Sequence, residues 1–288
     1  MDFRRIEMIF LIVFLALDVF LLASYTQKGS NATYNTTPTV TNEQAIIKDM
    51  KDDHITVPKL SNDKGEGYYL ASQTEDVLAK NTKELSSQST SYNYDTHKLT
   101  SQFNVPIGYG KNNVVTVLKG FVENEHNVLH GQEYVYQSGM SDAKSTIVFA
   151  QKTKQGVIID PQGTLTFKIS NGSVTGYTQT YLPNVTVLRE KQTTISARDA
   201  IELLYTSSEI SQNSKIVWYK LGYSELIDVR GSIIYVPVWN VMIQHKGTKN
   251  ETLKKVNALT KTIIKGTTTT DSSSSSASSS STTVDADD

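Results

Sequence analysis

The chain reads as α+β: an N-terminal transmembrane helix, then an exterior of antiparallel sheets with packed helices, arranged as two lobes. Three features carry that reading. Residues 8–25 (MIFLIVFLALDVFLLASY) form an almost wholly apolar run of 18, within the roughly 17–25 residues that cross a bilayer as a helix. Beyond them, helical periodicity followed by short β-rich runs occurs twice. Tight-turn residues join those runs in pairs, which favours antiparallel hairpins over parallel crossovers.

Arg4 and Arg5 precede the apolar run. They favour a cytoplasmic N-terminus (residues 1–7), a spanning helix (8–25), and everything after Tyr25 outside the membrane. A cleaved signal peptide is the competing reading. Against it stand the charge of Asp18 inside the run and a poor small-residue cleavage site at Leu21-Leu22-Ala23-Ser24-Tyr25. A buried core helix is disfavoured because no side of the helix is polar. Asp18 lies ten residues beyond Met8, roughly 15 Å into a core of about 30 Å at about 1.5 Å per residue. A carboxylate there is costly against lipid and is expected to face protein. The alternative is a position near enough to the outer surface to be hydrated. Phe10, Phe14, Leu17, Asp18 and Leu21 are the residues expected to meet neighbouring helices.

Of 288 residues, 38% are apolar, enough for a real core. Net charge is -1, and the first 24 residues hold two arginines and three acids, so the exterior is balanced. A nucleic-acid binder would show a basic face, and a lipid clamp a polybasic patch. Cys is absent, which excludes disulfides and cysteine-based metal or nucleophile chemistry.

Residues 26–40 are polar and Thr/Asn-rich with Pro38, a stalk. Two exterior lobes are expected over 41–110 and 111–265. Residues 266–288, a Ser/Thr/Asp tract, cannot bury apolar surface and read as a disordered tail. Thr41 and Gln44 fit a capping box, with the helix running to about Asp53 on Ile46, Ile47 and Met50. Residues 55–57, 67–71 and 100–105 are strand candidates, and 73–83 a second helix. Val114, Val117, Leu118, Phe121 and Val122 mark one helical face. Strands follow at 133–137, 145–152 and 156–159. Those at 164–169 and 173–182 are joined by Asn171-Gly172, a favoured tight-turn pair. Ser196 and Asp199 cap a helix carrying Ala200, Ile201, Leu203 and Leu204. Strands 216–229 and 233–244 meet near Gly231-Ser232, and Pro237 predicts an edge or a bulge in the second.

Catalytic signatures are weak. His126 and His130 are four apart, but Asn127 stands where a zinc-protease motif has Glu. Asp52-Asp53-His54 reads as a polar helix end. Ser141-Asp142-Ala143-Lys144 and Ser61-Asn62-Asp63-Lys64 both match SxxK, and Lys246-Gly247-Thr248 loosely matches KTG. They leave an anchored cell-envelope hydrolase of the penicillin-interacting type as one alternative. An envelope ligand-binding module is another, and would need a deep pocket with convergent polar groups. No catalytic, cofactor or metal residue is assigned.

The opening MDFRRIEMIFLIVFLALDVFLL, then HGQEY (130–134), YTQTYL (177–182), LGY (221–223) and VPVW (236–239), follow one another in an order that resembles the YycI (WalI) family. The resemblance covers about residues 1–265; the stalk and the serine tail are not part of the pattern. It singles out Gly131, Glu133, Tyr134, Gln179, Tyr181, Gly222, Tyr223, Pro237 and Trp239. It implies a non-enzymatic, single-pass cell-membrane protein of Gram-positive bacteria with a cytoplasmic N-terminus and no cofactor. Such proteins associate with a YycH-like partner. Through transmembrane contacts they set the activity of a WalK/YycG-like sensor histidine kinase, the two-component system that governs cell-wall metabolism. The resemblance also implies a polar residue at the position of Asp18.

Overall fold

The computed structural model describes residues 3–27, 42–110, 113–248 and 250–265. Thr41, most of the stalk and the serine tail lie outside them. The chain divides into two compact units, Met1–Ile46 and Ile47–Asp288. In the first, α1 (Phe3–Gln27) is one continuous helix of 25 residues. Its described side chains from Met8 to Leu21 are exposed. Among the described residues no helix is long and apolar enough to cross a membrane, and the span is taken up below as a proposal.

α2 (Asn42–Asp52) ends in a Schellman-type cap. His54 takes a left-handed φ of 60°, and the Ile55 amide reaches back to the Met50 carbonyl at 2.9 Å. Residues 55–57 make one parallel bridge, Thr56 to Lys215, rather than a strand. The strand expected at 67–71 is two short pieces, β1 (Glu66–Gly67) and β2 (Leu70–Gln73). The helix expected at 73–83 shrinks to α3 (Val77–Asn81), because Gln73 is held in β2 opposite Ser232. β3 (Gln88–Asn93) and β4 (Lys98–Gly108) form a hairpin. α4 (Val114–Val122) buries Val114, Leu118 and Val122 as its periodicity requires.

β5 (Tyr134–Tyr136), β6 (Thr146–Gln151), β7 (Thr164–Ser170) and β8 (Ser173–Gln179) follow. The β7–β8 turn puts Asn171 and Gly172 at φ 50° and 73°, the positive angles a two-residue type I′ turn needs. After β9 (Thr186–Val187) and β10 (Gln192–Thr193), α5 (Ala197–Thr206) opens on the reciprocal Ser196–Asp199 cap. The Asp199 amide donates to Ser196 Oγ at 3.1 Å, and the Ser196 amide to Asp199 Oδ2 at 3.0 Å. The long hairpin of β11 (Ser214–Val229) and β12 (Ser232–His245) turns at Arg230-Gly231, one residue earlier than expected. β13 (Glu251–Asn257) and β14 (Thr262–Ile264) close the fold.

Twelve of these strands make two six-stranded antiparallel sheets, and β1 pairs with β10 in a two-stranded one. The first has the order β3-β4-β8-β7-β6-β5, the second β14-β13-β12-β2-β9 with β11 also on β12. β4, which carries β3 on its other edge, pairs with β8 across residue 110, where the sequence suggested a boundary between lobes. Leu118 and Val122 of α4 pack with Leu99, Phe149, Leu165 and Phe167 in the core of the first sheet. α5 covers β11, β12 and β13 with Ala197, Ala200, Ile201 and Leu204.

Pro237 corrects the edge-or-bulge expectation. It sits inside β12, opposite Tyr223 of β11. The Tyr223 amide and carbonyl both bond residues 157–159, so they point away from β12, and the Pro237 nitrogen points away from β11. On its other side β2 pairing has stopped at Tyr235 and β13 pairing begins at Val238. The missing N–H therefore falls in a gap of the ladder.

Candidate functional site: the seam between the sheets

Two groups of side chains gather the signature residues, one on the first sheet and one where residues 157–160 run along β11. In the first, α4 ends against the backbone of Gly131. A Cβ there would lie 1.8 Å from the Val122 carbonyl oxygen, so only glycine fits. His130, at a left-handed φ of 53°, stacks its ring on Tyr181 at 4.3 Å and 9°. The Tyr181 hydroxyl donates to both Glu133 oxygens, at 3.0 and 3.1 Å. Burial, then the Glu133 charge, raises the Tyr181 phenol above its usual range. Tyr134, whose phenol is raised chiefly by burial, donates to the Thr180 carbonyl at 2.6 Å. Gln179 donates to the Leu129 carbonyl at 2.6 Å. The buried Gln151 amide pairs with the Leu182 backbone in both directions, each bond 2.9 Å.

The second group is built on residues 157–160, which leave the first sheet and run along β11. The Tyr223 amide bonds Val157 O at 2.8 Å, and the Ile159 amide bonds Tyr223 O at 2.7 Å. A Cβ on Gly222 would meet Ile159 Cγ1 and Cδ1 at 2.6 Å. Ser224 Oγ donates to Ile159 O at 2.7 Å. Asp160, buried, accepts the Glu225 amide at 3.1 Å and faces Lys255 Nζ at 3.4 Å. The Tyr68 amide donates to the Tyr223 hydroxyl at 3.1 Å. Pro237 lies against Gly67, where a Cβ would come within 2.6 Å of its ring. Trp239 Nε1 donates to the Ile195 carbonyl at 2.9 Å.

The structure thus gathers Gly131, Glu133, Tyr134, Gln179 and Tyr181 at one place, and Gly222, Tyr223 and Pro237 at a second, with Trp239 beside it. Each of the nine has a packing or hydrogen-bonding role. Gln151, Asp160 and Lys255 were missed by sequence reasoning, since a polar residue at the end of an apolar strand carries no signal of its distant partner.

The other motifs separate. Ser141 Oγ donates to the Gln137 carbonyl at 2.7 Å and accepts the Val148 amide at 2.9 Å, while Ser61 Oγ donates to Asp63 at 2.7 Å. Neither serine bonds the lysine of its motif. His126 Nδ1 faces the Glu84 carbonyl at 3.2 Å, away from the Tyr181 stack of His130. Asp53 accepts the Tyr205 hydroxyl at 2.8 Å and Gln212 Nε2 at 2.9 Å. Among the described residues no three His, Asp or Glu converge as a metal group. On α1, Phe10 and Phe14 stack at 6.4 Å and 27°. With Leu17, Asp18 and Leu21 they fall within an arc of about 100° of the helix surface.

An antiparallel α+β body whose signature residues brace the first sheet and tie residues 157–159 to β11 defines a structural or regulatory module. The chain belongs to the YycI family, whose pattern matches residues 35–259, a regulatory accessory family and not a known enzyme family. No curated protein matches the chain. Among solved structures, YycH from Bacillus subtilis is similar at 12% identity over 74% of this chain and 61% of that one, with a TM-score of 0.43. An uncharacterized protein from Eubacterium rectale ATCC 33656 is similar at 8% identity, 73% and 89% coverage and a TM-score of 0.39. The Bacillus megaterium YpeB C-terminal domain gives 12% identity, 80% and 97% coverage and a TM-score of 0.35. At these scores the three likenesses decide nothing about function.

Proposed function

We propose that the protein is a cell-membrane accessory regulator of a WalK/YycG-like sensor histidine kinase controlling cell-wall metabolism. In this reading α1 spans the bilayer with its N-terminus in the cytoplasm, and the exterior associates with a YycH-like partner. Membership of the YycI family over 35–259 carries the proposal. The apolar run at 8–25 and the single face shared by Phe10, Phe14, Leu17, Asp18 and Leu21 support the membrane part.

The mechanism is a population shift. The anchor must bind one signalling state of the kinase better than the other, otherwise nothing changes. Polar contacts between membrane helices are worth about 0.6–2 kcal/mol, enough to move an equilibrium about 3- to 30-fold. Asp18→Leu is expected to weaken co-purification with the kinase and to change phosphorylation of its response regulator. Wild-type association and output in that variant would remove the polar-contact mechanism. Exchange of residues 8–23 for an unrelated spanning helix with unchanged regulation would move the function to the exterior.

A further inference from the structure

One face of the second sheet is apolar and open to solvent around the tip of the β11–β12 hairpin. Ile227 of β11 stands opposite Ile234 of β12, and Ile234 opposite Ala71 of β2. Directly opposed residues of antiparallel strands share a face, and so do residues two apart on one strand. Val229 and Tyr69 therefore lie on it too. Leu188, just past β9, joins them: it continues the Leu70–Val187 register, and its amide bonds the Tyr69 carbonyl at 2.8 Å. Ile227, Val229 and Leu188 are 51%, 48% and 50% exposed, while Ile234 and Tyr69 are half-buried and Ala71 is buried. From Val229 to Leu188 the strip runs diagonally over four strands for about 20 Å, at about 4.8 Å between strands and about 3.4 Å per residue. Its ends carry opposite charge. Arg230 turns the chain beyond Val229, and Glu190 lies beyond Leu188. Neither has an ion-pair partner among the described residues. Arg189, between Leu188 and Glu190, is set over the Tyr69 ring at 5.5 Å.

We propose that this strip is the contact surface for a second copy of the chain. A two-fold axis lying between two strips, across their middle near Ile234 and Ala71, lays the Val229 end of one on the Leu188 end of the other. Arg230 of each copy then meets Glu190 of the other. The strip is complementary to itself in apolar surface and in charge, and two sheets facing each other about 10 Å apart interdigitate their side chains. A net charge of -1 leaves no strong long-range repulsion between copies. A lipid surface fits less well, since anionic headgroups draw cations and Glu190 closes one end of the strip. The patch is small beside the roughly 800 Å² per partner of a standard interface, so the pair is reversible. The proposal goes beyond kinase regulation, which a monomer would serve as well, and either can fail alone.

The chain has no Cys, so introduced cysteines report contacts without background. Two differently tagged full-length copies, one Val229→Cys and the other Leu188→Cys, are co-expressed and treated in intact membranes with a short bis-maleimide. They should crosslink to each other, and Ile234→Cys, near the axis, to its own second copy. Val229→Cys alone should not, because its two copies lie roughly 20 Å apart at opposite ends of the strip. Val105→Cys, 77% exposed on β4 of the other sheet, should not either. Arg230→Glu in both copies should cut the mixed yield about threefold or more, and adding Glu190→Arg should restore it. Both positions are exposed, so the charge exchange keeps the test available where a change within the strip disturbs folding. No mixed crosslink, an equal yield from Val105→Cys, adducts of Ile234→Cys with other proteins only, or a mixed yield unmoved by Arg230→Glu would overturn the proposal.

Discussion

Substituting Gly222 by Ala isolates the seam between the sheets. The new Cβ would sit 2.6 Å from Ile159 Cγ1 and Cδ1 and 3.0 Å from Val157 O, whereas carbon–carbon contacts settle near 3.5–4.0 Å. Ile159 must retreat by about 1 Å. It is 2% exposed and its segment is tied to β11 by the hydrogen bonds through Tyr223 and Ser224, so the strain stays local. Overpacking of this kind costs about 1–3 kcal/mol. Ile159→Ala alone should cost about 2–5 kcal/mol through the cavity it leaves. In the double variant the added methyl occupies space the isoleucine vacated, so the total should fall below the sum by about 1–3 kcal/mol. Guanidinium unfolding followed by the fluorescence of Trp218 and Trp239, both in the second sheet, reads all four proteins. An unchanged midpoint for Gly222→Ala, or strict additivity in the double variant, would refute the packing argument.

Gln151→Leu would leave the Leu182 amide and carbonyl without their partner; at about 1–3 kcal/mol per orphaned buried group, a loss of about 2–5 kcal/mol is expected in the same unfolding assay. Tyr205, hydrogen-bonded to Asp53, has its phenol pushed up to about 12 from 10.0. Above pH 10 the unfolded chain loses this proton while the folded one keeps it, so stability falls as pH rises from about 10 towards 12; Tyr205→Phe should make that fall shallower, measured as midpoint against pH.

Local features were legible in the sequence because their partners are local. Asn171-Gly172 dictates its own turn, Ser196 and Asp199 bond each other, and the α4 stripe needs only one apolar surface to pack on. Distant pairing was not legible. Gln73 leaves a helix-like run because β12 claims it, and β3, polar along its length, is held by its ladder with β4 rather than by burial. Pro237 looked like an edge residue, since nothing in the chain announces that β2 stops and β13 starts on either side of it. The signature glycines were recognisable as signatures, but Gly131 takes its meaning from the Val122 carbonyl and Gly222 from Ile159. For that reason the sequence pointed to family residues without disclosing what each one packs against.

Photocrosslinking in intact membranes tests the regulatory reading most directly. A photoreactive residue is placed in turn at Phe10, Phe14, Leu17, Asp18 and Leu21, and on the opposite side at Ile12, Ala16 and Val19. The first face should yield adducts with the sensor kinase and the second should not. Equal labelling from both faces, or mature protein that begins after Ala23 and leaves the membrane fraction, would contradict it.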